Sequence, residues 1–129
     1  MQMDPGSNYE LDRAVAPGST STGDTNSAAI DHANVPGASF LIDVSDVGTG
    51  GTVDAKLQYS DDNSNWNDEP DGNAGNDAAI TQMTAVGQAR LDVPNPRARY
   101  SRVVVTVGNN SVVLGVSYVA GPYNRKMPW

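Results

Sequence analysis

Between Thr52 and Ser60 the chain reads TVDAKLQYS. Val53, Ala55, Leu57 and Tyr59 alternate with Asp54, Lys56, Gln58 and Ser60, which gives one segment an apolar face and a wet face. A period of two belongs to a strand half-buried in an antiparallel sheet, because successive side chains leave a pleated backbone on opposite sides. The same alternation returns at Ala38, Phe40, Ile42 and Val44, and again at Val112, Leu114, Val116 and Tyr118. Nowhere do apolar residues recur at i, i+3, i+4 and i+7 over about ten residues, so helix is expected to be scarce. The core has to come from sheets.

Weaker strand signals lie at 27–33 (SAAIDHA), 78–84 (AAITQMT), 87–93 (GQARLDV) and 99–107 (RYSRVVVTV). Between them stand breakers. Gly48 to Gly51 (GTGG) reads as a hairpin loop into the strand at 52–60, Asp61 to Asp77 as a long loop, and Gly108-Asn109-Asn110 as a compact turn. Pro94 and Pro96 separate two strands, and Gly121-Pro122 ends the last. Around seven or eight short strands with turns between them predict one antiparallel β-sandwich or jelly roll over residues 27–121. There is no internal repeat.

The flanks read differently. From Pro17 to Asn26 the chain is PGSTSTGDTN, with no large apolar side chain to offset the entropy of ordering. Residues 1–26 are therefore expected to form an extended N-terminal arm that orders against a partner, with Tyr9, Leu11 and Val15 as its anchor. Residues 122–129 form a short C-terminal tail, in which Tyr123, Met127 and Trp129 are further candidate partner contacts.

Composition removes several function classes. The 129 residues suit one domain, and without cysteine they hold neither disulfides nor thiolate metal sites. One histidine, His32, cannot supply the usual zinc sites, and it reads as a solvent-facing polar residue. Fifteen acidic against eight basic residues give a net charge of −7, which repels nucleic acid and anionic membranes. Arg97, Arg99 and Arg102 gather locally but read as a solvated strand edge. The N-terminal residues lack the positive region and apolar run of a signal peptide, and no apolar stretch approaches a membrane span.

The segment Asp61 to Trp66 invites closer reading. Asp61, Asn63, Asn65 and Asn67 offer oxygens at every second position, yet an EF-hand loop needs Gly sixth and Glu twelfth. Trp66 and Gly72 stand there instead, so a turn is expected and calcium binding stays open. The stretch resembles the Asp-box hairpin of sialidase-like propellers, without its paired glycines and without repetition. On that reading Asp62 accepts backbone N–H groups and Trp66 covers the sandwich end, both as scaffold. Adjacent carboxylates such as Asp61/Asp62 and Asp68/Glu69 are not a glycosidase pair, which needs two groups facing across a cleft. Asn109-Asn110-Ser111 matches a glycosylation acceptor but reads as a turn. No catalytic residue, cofactor or metal ligand emerges.

Several pieces in order resemble a family of small tailed-phage head proteins, the capsid decoration or cement proteins. They are SAAIDHANVPGASFLIDV, GTVDAKLQYSDDNSNW, GQARLDV, ARYSRVVVTV and LGVSYVAGPY, spanning residues 27 to 123. The resemblance implies a sandwich on the outer surface of a virion head, made in the host cytoplasm. It also implies the major capsid protein as partner, a symmetric homo-oligomer with a trimer favoured over a dimer, and extended termini that clasp neighbouring subunits. An arm of 26 residues spans up to roughly 85 Å when extended. The competing expectation is a carbohydrate-binding β-sandwich of a phage tail or fibre. For that reading Tyr59, Tyr100, Tyr118, Tyr123, Trp66 and Trp129 are the available aromatics, mostly explicable as core or tail.

Overall fold

In the computed structural model, which describes residues 10–35, 37–70, 78–93 and 96–121, the alternating segments turn their apolar positions into one interior. Phe40, Ile42 and Val44 are buried from one side, and Val53, Ala55 and Leu57 from the other. Val103, Val105 and Val107 join them, as do Val112, Leu114, Val116 and Tyr118. Burying one such aliphatic side chain is worth about 1.5–3 kcal/mol relative to leaving it in water.

Among the described residues nine strands carry this interior: β1 (Glu10–Thr20), β2 (Gly23–Asn26), β3 (Ile30–Asp31), β4 (Ala38–Val47), β5 (Thr52–Ser60), β6 (Asn67–Asp68), β7 (Gly87–Val93), β8 (Tyr100–Gly108) and β9 (Val112–Ala120). A 3-10 turn, His32–Asn34, is capped by the Asp31 side chain, which accepts from the Ala33 N–H at 3.0 Å. One sheet has the order β1-β9-β4-β7 and the other β2-β8-β5-β6, with β3 also on β8. Every strand pair is antiparallel. Setting the two-residue β3 aside, this is the strand order of a jelly roll, in which β1, β2, β4 and β5 pair in turn with β9, β8, β7 and β6. The protein is an all-β sandwich.

Three expectations need correction. Residues 10–26 are no free arm. β1 lies along β9 from Glu10↔Ala120 to Thr20↔Val112, and β2 pairs with β8 from Gly23↔Val107 to Asn26↔Val104. Ala14 is buried in the core, and Val15 packs against it. These strands need few apolar side chains, because what they supply is backbone hydrogen bonds to the edges of β8 and β9. The bulge around Pro17 lies so close over Gly115 that a Cβ there would sit 3.2 Å from the Pro17 Cα.

Gly48 to Gly51 is no hairpin loop, since β4 and β5 belong to different sheets. Gly108 to Ser111 likewise carries the chain from β8 across to β9. The two crossings brace each other: Gly48 N–H donates to the Ser111 carbonyl at 3.0 Å, and Asn109 and Asn110 donate to the Gly50 and Thr49 carbonyls. The Asn110 side chain is thereby engaged in the crossing.

Residues 78–84 form no regular strand. They follow the outer side of β5, where Val53 and Met83 exchange both backbone bonds at 2.8 Å and Ile80 N–H donates to the Ala55 carbonyl at 3.0 Å. The part of the expected C-terminal tail at 122–129 lies outside the described residues, as do residues 1–9.

Candidate binding surfaces

Among the described residues, no group of three or more His, Asp or Glu side chains is placed to hold a metal, and no helix is long and apolar enough to cross a membrane. The polar groups that the sequence singles out are taken up locally. Asp62 Oδ1 accepts from the N–H groups of Asn65 at 2.8 Å and Ser64 at 2.9 Å, and Oδ2 accepts from Asn65 Nδ2 at 2.8 Å. Ser60 Oγ, buried at the start of the turn, donates to the same carboxylate and accepts from the N–H of Asn63 at 2.9 Å. Asn63 takes φ 60, a left-handed conformation that Asn tolerates. The Asn65 and Ser64 N–H groups hold the Asp62 carboxyl far below the usual carboxylate range. Its oxygens serve the turn.

His32 is half-buried and not solvent-facing. Its Nδ1 lies 3.0 Å from the Val35 carbonyl and its Nε2 2.5 Å from the Ser101 hydroxyl. A carbonyl only accepts, so Nδ1 carries the proton and Nε2 accepts from Ser101. Burial pushes the imidazole pKa down, opposed by the Val35 carbonyl and Asp31.

The three arginines each meet an aromatic ring. Arg97 lies 5.4 Å from the Tyr59 ring centre, Arg99 5.1 Å from Tyr100, and Arg102 4.2 Å from Trp66. Each is also hydrogen-bonded: Arg97 to Glu69 at 3.1 Å, Arg99 to both oxygens of Asp31 at 2.9 and 3.0 Å, and Arg102 to Gln58 at 2.9 Å. Arg97 and Arg99 are thus neutralised by carboxylates, which leaves no concentrated positive site for a phosphate. Tyr59, Tyr100 and Trp66 are half-buried and carry guanidinium groups, unlike Tyr118, which belongs to the core. Tyr59, Pro96, Arg97 and Tyr100 line a small depression of about 10 Å³ at this end of the sandwich.

The opposite character appears on the outer face of the β1-β9-β4-β7 sheet. Leu11 is 73% exposed, Val119 41% and Leu41 37%. Leu11 is the register partner of Val119, Val119 in turn faces Ser39, and Leu41 follows two positions along the same face. These residues form one apolar strip across three strands. Glu10 pairs with Ala120, so both ends of the described chain leave the sheet side by side at this strip.

Of the candidate contacts read from the sequence, Leu11 lies in the strip and Val15 packs inward. Tyr9, Tyr123, Met127 and Trp129 lie outside the described residues. Leu41 and Val119 were missed, although each puts an apolar residue at the wet phase of its strand. That break in phase was the available signal.

The sequence matches no protein-family model and no curated protein. The fold does have solved neighbours. It is similar to the PBSX exported protein XepA, with a TM-score of 0.62 at 15% identity over 94% of this chain. The chain spans 39% of the length of XepA. It is also similar to the SPBc2 prophage-derived protein YomS, with a TM-score of 0.50 at 11% identity, covering 87% of this chain and 91% of that one. At these identities the likeness is one of fold, and it extends to a protein of prophage origin.

Proposed function

We propose that this protein is a structural virion component that binds the outer surface of a tailed-phage head and stabilises it by bridging neighbouring major capsid subunits. The observation that carries the reading is the Leu11–Val119–Leu41 strip, an apolar surface on an otherwise strongly acidic protein, beside both ends of the described chain. A cement module needs no chemistry, only a rigid body and contacts multiplied by capsid symmetry. The jelly roll supplies the rigid body, and the ordered sequence pieces from residue 27 to 123 supply the family resemblance. The likeness to a prophage-derived fold is consistent with a phage origin.

Co-sedimentation with purified heads tests this. Val119→Asp and Leu11→Asp should abolish binding while the melting temperature stays near that of the unmodified protein, because both side chains face water in the isolated chain. Binding unchanged by either substitution would remove the strip from the mechanism.

The half-buried rings of Tyr59 and Tyr100 beside the small depression favour a second reading, a carbohydrate-binding sandwich of a phage tail or fibre. Stacking a sugar there requires displacing Arg97 or Arg99 from its ring, so a glycan array on Arg97→Ala should gain signal if this reading holds.

A further inference from the structure

Sheet edges are templates for another strand, and folded proteins blunt them. Among the described residues, three of the four edges are blunted. β1 has two register shifts against β9 and contains Pro17, so its outer side is irregular. The β2 side is a short strand followed by the two-residue β3. The β5 side is covered by β6 and by the backbone bonds of Ala78, Ile80 and Met83.

β7 differs. It pairs with β4 over all seven residues without a register shift, contains no proline, and among the described residues nothing pairs with its other side. The direction of its free groups follows from alternation. Gly121 N–H donates to the Gly37 carbonyl at 2.9 Å, so odd-numbered residues of β4 address β9 and even-numbered ones address β7. Across the register Ala38↔Val93, the odd residues of β7 therefore address β4. Gln88, Arg90 and Asp92 turn their backbone N–H and C=O groups to the open edge. Met83, whose Cε lies 3.4 Å from where a Gly87 Cβ would stand, packs against the core as Ile80 does, so what stays open is the backbone and not the interior.

The side chains on this edge are self-complementary. Arg90 and Asp92 stand two residues apart on the outer face and pair within the chain at 3.2 Å, and the Ser39 hydroxyl donates to the same Asp92 oxygen at 2.6 Å. Their side chains stay 68% and 43% exposed, and Leu91 between them points inward. A two-fold axis through Leu91 places Arg90 of one copy opposite Asp92 of the other, twice. The same register lets Arg90 and Asp92 exchange both backbone hydrogen bonds across the axis. Shifting the axis to Arg90 would set two arginines face to face, which selects against that register.

We infer that β7 is a homodimer edge, at which a second copy of this chain adds antiparallel to β7 and joins two four-stranded sheets into one. A two-fold contact of this kind builds dimers, not the trimer that the family resemblance suggests. It also sets both Leu11–Val119–Leu41 strips on the same side of the joined sheet. The inference stands apart from the head-binding reading, since it needs no partner but the chain itself.

Sedimentation equilibrium of the full chain at low salt, from micromolar to submillimolar concentration, tests it. The expected particle has twice the chain mass of 13.5 kDa. Arg90→Asp places carboxylates opposite each other and Asp92→Arg places cations opposite each other, so each alone should dimerise about tenfold more weakly or worse. An equimolar mixture of the two variants restores both pairs, and dimer should reappear as the mixed species. Recovery in the mixture also shows that both variants are folded. A monomer at every concentration, a trimer, or a dimer indifferent to both single reversals would each overturn the inference. Failure to recover dimer in the mixture, with both variants melting like the unmodified protein, would overturn it too.

Discussion

The rings of Phe40 and Tyr118, neighbours in register on β4 and β9, sit 6.2 Å apart at a tilt of 52° inside the sandwich. Phe40 has no exposed surface, whereas Leu41, the next residue, points to the opposite face. Phe40→Ala should therefore destabilise the fold by about 3–5 kcal/mol, the range for large-to-small changes in a packed core. Leu41→Asp should change stability by no more than about 0.5 kcal/mol. Urea denaturation of both variants checks the facing of the whole β1-β9-β4-β7 sheet.

Removing residues 1–26 should not leave a folded module. The deletion strips an edge strand from each sheet and takes away Ala14, Val15 and the Ala14 carbonyl that accepts from the Ala28 N–H at 2.9 Å. The exposed sides of β8 and β9 then present unpaired backbone, so the product is expected to aggregate or to lose its cooperative melting transition. A sharp transition near that of the intact chain would mean that β1 and β2 add nothing to the core.

That reversal shows where the sequence was legible and where it was not. Burial leaves a mark on every second residue, so β4, β5 and β9 could be read from Ala38–Val44, Val53–Tyr59 and Val112–Tyr118. Pairing leaves no comparable mark. A hairpin at Gly48 to Gly51 and a crossing between sheets both put Val44 and Val53 on the core side, so composition could not separate them. β2, with the sequence GDTN, contributes backbone and leaves almost no side-chain signal. The Asp62 turn was legible because its partners Ser60, Ser64 and Asn65 are local. Arg97 and Glu69, or Arg99 and Asp31, are brought together only by topology, at sequence separations of 28 and 68.

Acidity should reveal two separate losses of stability. His32 has a folded pKa below its usual 6.5, so the unfolded chain takes up the proton first. Its contribution is complete above about pH 6.5 and declines as the pH falls from there toward the depressed value. The carboxylates of Asp31, Asp62 and Asp68 are also depressed, chiefly by Arg99, the Asn65 N–H and Gln58 respectively. Their contribution is present above about pH 4 and is lost as the pH falls further. Melting curves across this range should show both limbs, and His32→Gln should flatten only the upper one.

Asp62→Ala should lower the melting temperature by a few degrees and leave head binding intact. The substitution frees the N–H groups of Ser64 and Asn65 and the Ser60 hydroxyl. Unchanged melting together with lost binding would make the turn a contact site.

The pairing of Glu10 with Ala120 has a mechanical side. β1 and β9 run antiparallel, and the two ends of the described chain emerge together from one end of that ladder. Tension between the ends would open the pairs one after another from Glu10↔Ala120 onward, like a zipper, instead of loading the whole ladder in shear. The chain is thus weak when pulled by its two ends against each other. It is stronger when pushed or sheared as a block, with the crossing at Gly48–Gly51 and the one at Gly108–Ser111 tied together at their own hydrogen bonds. A mechanical role suits this body only where force enters through its faces and strand edges.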